Sequence, residues 1–263
     1  MKTMSFIAVV FLFTFGTSAA ETQQPAVVNP KVSWMPDFGS ANVSLTSSVR
    51  SKFVNGVGHE LYEDAIFQEN LFIKLENGLA FDLMLTAPAS LDEFNENNAT
   101  ELDLTVGWTG KIDAYNVSFG MTYFDFVDVG TPNDYDVFFP YLDVGHDFKP
   151  TPDLTLTPFF RLEPRFTGDG VLQGDLVARV GSRYGWKIND HATLSGRVML
   201  SYDPGLRGGD TAWIGGADAA LQWKIGNHLI VEMPSIKVMG PLNDPDDSRE
   251  TEVIVGAGFT LKF

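Results

Sequence analysis

Five arginines recur at even spacings in one stretch of the chain: Arg161 and Arg165, Arg179 and Arg183, and Arg197. A guanidinium stays charged across the physiological range and presents a planar fork of donors that fits a carboxylate or a phosphate. On an extended backbone, residues an even number of positions apart share a face, so each pair projects to one side of its segment. Three carboxylates, Asp82, Glu101 and Asp103, occupy the corresponding face of two earlier segments. A basic wall opposite an acidic wall would lay a transverse field across a water-filled passage, orienting dipolar solutes and sorting ions by sign. Glu163, Asp175 and Asp218 lie on the same faces as the arginines. The second reading is therefore a neutralised network that fills a narrow passage.

Other reactive groups point to little chemistry. None of the four histidines, His59, His146, His191 and His228, has a serine two residues away, so a Ser–His nucleophile pair is not expected. The glycine-rich run from Asp203 to Asp210 falls between strand patterns and not ahead of a helix, which removes the phosphate-loop reading. The acidic stretches Asp92 to Asn98 and Asn243 to Asp247 read as solvated loop tips. No cofactor and no metal site is expected. A formal net charge of −16 argues against nucleic acid as a partner. The absence of Cys excludes a disulfide-stapled exported domain.

Export itself is predicted from Met1 to Ala20, which carries Lys2, an apolar core from Phe6 to Phe15, and Ser18-Ala19-Ala20 as a small-residue cleavage site. Residues 21–40, with Pro25, Pro30 and Pro36, have no period and read as a periplasmic leader. From residue 41 to 263 the pattern is strands separated by turns.

Val43, Leu45, Val49 and Phe53 oppose Ser44, Thr46, Ser48 and Arg50. Phe67 to Leu75 and Leu79 to Ala87 flank Glu76-Asn77-Gly78, and Asn-Gly is a strong hairpin signal. Leu102, Leu104, Val106 and Trp108 alternate with the acids of their segment, and Tyr115 to Tyr123 alternate with small polar residues. The arginine-bearing segments set Leu156, Phe160 and Leu162, then Ala178, Val180 and Tyr184, then Val198 and Leu200 against the charges. Trp213, Ala217, Ala219, Leu221 and Trp223 oppose Asp218, Gln222 and Lys224. Two segments, 135–144 and 229–239, are strand-like without a clear register; Phe138, Phe139 and Tyr141 blur the first, and Pro234 interrupts the second.

About twelve strands of roughly 10 residues fit a tilted membrane-spanning barrel. Their even number returns the last strand to the side of the first, and long connections alternate with short ones, as in outer-membrane barrels. With both termini periplasmic, Trp108, Trp186 and Trp223 join Phe263 at periplasmic strand ends, while Tyr123, Tyr202 and Trp213 fall at outer ends. Two aromatic girdles result. The fold class is therefore all-β, a transmembrane antiparallel up-and-down barrel of about twelve strands.

In the final segment Val253, Val255, Ala257, Phe259, Leu261 and Phe263 share one parity, with Ile254 the exception on the other. This ending resembles the C-terminal strand of bacterial outer-membrane β-barrels. The resemblance implies that Phe259, Leu261 and Phe263 form the signal read by the barrel-assembly machinery. Ser44 to Arg50, Glu101 to Trp108 and Tyr115 to Tyr123 also resemble a porin family whose first strand carries a leucine-threonine-serine motif. Val49-Arg50-Ser51-Lys52 stands where that family carries an aromatic followed by Arg-Gly. Together these features predict a Gram-negative outer-membrane channel, surrounded by lipid and lipopolysaccharide, for passive diffusion of small polar or anionic solutes. A structural or adhesive barrel with a closed lumen, acting through acidic outer loops, is the alternative.

Overall fold

A computed structural model describes residues 41–54, 60–62, 65–89, 101–126, 137–167, 172–204, 211–243 and 250–263. The predicted signal peptide and leader, His59, the acidic stretches 92–98 and 244–247, residues 205–210 and the side chain of Asp175 lie outside them. The described strands are β1 (Asn42–Arg50), β2 (Phe53–Val54), β3 (Glu60–Tyr62), β4 (Ile66–Lys74), β5 (Leu79–Pro88), β6 (Glu101–Ile112), β7 (Tyr115–Phe126) and β8 (Val137–His146). They continue as β9 (Phe148–Thr151), β10 (Leu154–Thr167), β11 (Leu172–Lys187), β12 (Ala192–Asp203), β13 (Ala212–Ile225), β14 (Leu229–Asn243) and β15 (Glu252–Lys262).

Twelve of these, all except β2, β3 and β9, form one antiparallel barrel. Closure is made where β15 pairs with β1, through Leu45↔Leu261 and Ser47↔Phe259 among others. A closed sheet leaves no unpaired edge, the condition for a β-structure in hydrocarbon. Connections at one end are short, at 75–78, 113–114, 188–191 and 226–228; Gly78 and Gly226 take positive φ there, as tight turns require. Both chain ends of the barrel lie at this short-turn end, where the amide of Phe263 donates to the carbonyl of Val43 at 3.0 Å.

Alternation sorts the two faces. Phe81, Leu83, Leu104, Val106, Phe119, Met121, Val180, Val198, Val253 and Val255 project outward and are exposed, Val106 by 51% and Val198 by 58%. The inner face carries Gln68, Thr86, Glu101, Asp103, Thr122, Asp143 and Glu163, all buried. A polar interior inside an apolar exterior inverts the soluble pattern and is stable when the outer surface meets lipid. Glu69 departs from this order: it is exposed on the outer face, across from Leu85, and accepts a hydrogen bond from Ser47 Oγ at 2.7 Å.

Both segments of unclear register have a definite explanation. In β8, Phe138 and Leu142 take the outer parity while Phe139, Tyr141 and Asp143 take the inner one. In β14 a register shift between Glu232 and Ser235 spans the cis Met233–Pro234 bond. Glu232 and Lys237, an odd number of residues apart, therefore reach the same face. Among the inward residues Phe159, Met199, Ala212, Ile214 and Met239 form a buried apolar cluster.

Candidate functional site

The inner face of β10 to β13 concentrates the cations. Arg161 pairs in register with Arg179 on one side and Asp143 on the other. Arg183, Arg197, Asp218 and Lys237 are likewise register neighbours across β11 to β14. Like charges directly opposite one another destabilise a sheet unless compensated. Here Glu163 accepts from Arg161 Nε at 2.7 Å and, through its other oxygen, from Arg179. Asp143 pairs with Arg183 and lies 4.0 Å from Arg161, while Asp218 accepts from Arg197 Nε at 2.6 Å.

Aromatic rings fix the guanidiniums further. Arg161 stacks over Tyr141 at 4.5 Å, Arg165 over Phe139 at 4.4 Å and Arg183 over Phe159 at 4.1 Å. Such contacts stabilise by roughly 0.5–1 kcal/mol each, more when water is excluded. The inward aromatics of β8 thus serve as platforms for the arginines of β10. Tyr141 lies across Gly107 and Gly120, which face each other between β6 and β7. A Cβ on Gly107 would stand 2.6 Å from the backbone oxygen of Phe119 as well as 2.6 Å from Tyr141 Oη, so the position requires glycine.

Asp82, Glu101 and Asp103 occupy the inner face of β5 and β6, away from the arginine cluster in strand order. Asn70 donates to Asp82, and beside them Gln68 Nε2 donates to Thr86 Oγ1 at 3.0 Å. Glu101, 1% exposed, and Asp103 stand two residues apart and are buried. At the short-turn rim, Asp147 accepts from Thr157 Oγ1 at 2.8 Å and Asn116 Nδ2 at 2.7 Å. The Thr157 hydrogen bond, then that of Asn116 and the charge of Lys111, hold this carboxyl below its usual range.

The five arginines and the three acids Asp82, Glu101 and Asp103 thus lie on the inner face of their strands, Arg165 through its contact with Phe139. The neutralising pairs with Glu163 and Asp218 form, and Asp143 joins them unannounced, because the aromatics of β8 hid its parity. Arg50, Lys237 and Glu232 were also missed. They meet Arg183, Arg197 and Asp218 around a cavity of about 500 Å³. Arg50 was legible on the polar face of the first strand, whereas Lys237 follows the β14 irregularity and was not.

The aromatic residues occupy the strand ends. Trp108, paired with Leu79, donates from Nε1 to the carbonyl of Asn77 at 2.7 Å, and Trp186 and Trp223 are exposed near the other short turns. At the opposite end Tyr202 meets Trp213 at 5.1 Å between ring centroids, and Tyr123 meets Phe138 at 4.8 Å. Phe259 and Phe263 are exposed; Leu261 pairs with Leu45 and Leu229. Among the described residues no group of three His, Cys, Asp or Glu is arranged to hold a metal ion.

A closed antiparallel barrel with an apolar belt, aromatic ends and a charged lumen has the fold of a transmembrane β-barrel. Comparison with solved structures gives the same fold. The NanC porin superposes with a TM-score of 0.53 at 14% identity, covering 84% of this chain and 100% of that one. A KdgM porin in complex with disordered oligogalacturonate gives 0.52 at 12% identity, covering 84% and 99%. No family model matches the sequence, and no curated protein matches it.

Proposed function

We propose that the protein is a passive diffusion channel for small polar or anionic solutes, oriented with its short-turn end in the periplasm. The observation that carries this reading is the charge balance of one lumen wall. Among the described residues Arg50, Lys52, Arg161, Arg165, Arg179, Arg183, Arg197 and Lys237 outnumber Asp143, Glu163, Asp203, Asp218, Glu232 and Glu252 there. Such an excess raises the local concentration of anions. One of the similar porins is described with an oligogalacturonate, a chain of sugar acids, which supports an anionic cargo. Asp82, Glu101 and Asp103 would form the opposing wall.

The competing reading, a structural barrel with a closed lumen, is favoured by the tight pairing of the arginines. Purified protein in a planar bilayer separates the two. Stepwise conductance with an anion preference is the expected result; a silent barrel that still shows heat-dependent gel mobility would support the closed barrel.

A further inference from the structure

We propose that the lumen contains a binding subsite for one small organic anion bearing a carboxylate or phosphate, and that Arg50 is the residue that recognises it. The inference rests on the channel reading and names the contact that would give it selectivity.

The cavity beside Arg50, about 500 Å³, lies within the range of small-molecule sites and has room for a solute of sugar-acid size. Four cations line it, Arg50, Arg183, Arg197 and Lys237, against two acids, Asp218 and Glu232. Most of these charges are already engaged. Arg183 is held by Asp143 and the ring of Phe159, and Arg197 by Asp218. Glu232 accepts from Gln222 Nε2 at 3.1 Å. Arg50 differs: among the described residues its guanidinium makes no hydrogen bond and no close ion pair, and Glu232 and Asp218 attract it only as fellow members of the cavity lining.

Its position is nevertheless built. Arg50 is across from Gly256 on β15, and a Cβ on that glycine would stand 3.2 Å from Arg50 Cγ and 2.9 Å from Ser235 Oγ. The bare backbone lets the Arg50 stem approach β15 closely. Its fork can then bond a carboxylate or phosphate bidentately, which no engaged arginine can do without giving up its own partner. The locked arginines supply the field, and Arg50 supplies the contact.

The test is block of ion current in planar bilayers by glucuronate, with glucose as the neutral counterpart, on wild type and on Arg50→Gln, Arg50→Lys and Lys224→Gln. Lys224 is exposed near the short-turn end and controls for loss of one positive charge. Glucuronate should block wild type where glucose does not, and Arg50→Gln should weaken block by about tenfold or more, the scale of a lost charge-assisted hydrogen bond. Arg50→Lys, keeping charge without the fork, should fall between, and this variant decides if Arg50→Gln fails to assemble. Unchanged block in the Arg50 variants, equal weakening in Lys224→Gln, or equal block by glucose would overturn the subsite while leaving a conducting channel. A wild-type barrel that never conducts would overturn the channel reading and the subsite with it.

Discussion

On the basic side of the lumen charge is balanced by charge: Glu163 serves Arg161 and Arg179, Asp143 serves Arg183, Asp218 serves Arg197, and rings lie under three of the guanidiniums. On the acidic side Asp82 is balanced by a neutral donor, Asn70, and no Lys or Arg among the described residues pairs with Asp82 or Asp103. The first arrangement is strong only while complete, because removing one member strands a charge in a poorly solvated place. The second tolerates loss of charge, because an amide bond to a neutral partner survives it. One wall is therefore a locked electrostatic unit and the other an adjustable one.

The largest effect should come from Glu163, the carboxylate shared by two arginines and only 7% exposed. Glu163→Gln preserves volume and removes the charge, leaving Arg179 without its partner. The expected cost is about 3–5 kcal/mol, the range for breaking a buried pair from one side. Urea unfolding of the barrel in lipid vesicles measures it. A cost below about 1 kcal/mol would mean that water already screens the pair, and the contrast between the walls would disappear.

How much of this was readable in advance follows from the period of a strand. The barrel was legible because outward Leu, Val and Phe alternate with inward polar residues in ten of its strands, and because Asn77-Gly78 marks a turn. Arg161, Arg165, Arg179, Arg183 and Arg197 could be assigned to one wall for the same reason. Lys237 could not, since the irregularity between Glu232 and Ser235 shifts parity without a local signature beyond Pro234. Asp143 was masked by aromatics on both faces of β8, which stack inward under arginines and outward against Tyr123. Pairing partners depend on register between strands, which one strand's own alternation does not specify.

A change remote from both walls should leave their balance intact. Phe263 is exposed at the seam of β15 and β1, with its amide on Val43. If it belongs to the assembly signal with Phe259 and Leu261, deleting it should reduce the amount of barrel recovered in the outer membrane. Each inserted barrel should keep its ion preference. Normal recovery with altered preference would place Phe263 in conduction and undo that separation.

The smallest effect on stability, and the sharpest on selectivity relative to it, is expected at Asp82. Asp82→Asn retains an oxygen that can accept from Asn70, so a hydrogen bond survives while its charge assistance is lost. The change in stability should stay within about 1 kcal/mol, the scale of one ordinary hydrogen bond. The lumen nevertheless loses one negative charge from the wall that faces the arginines, and the reversal potential in a salt gradient should move toward anions. A barrel in which Asp82→Asn destabilises as much as Glu163→Gln would require an unrecognised counter-charge on the acidic side. One in which stability and reversal potential both stay unchanged would mean that Asp82 lies outside the conducting path, so that selectivity is set by the basic wall alone.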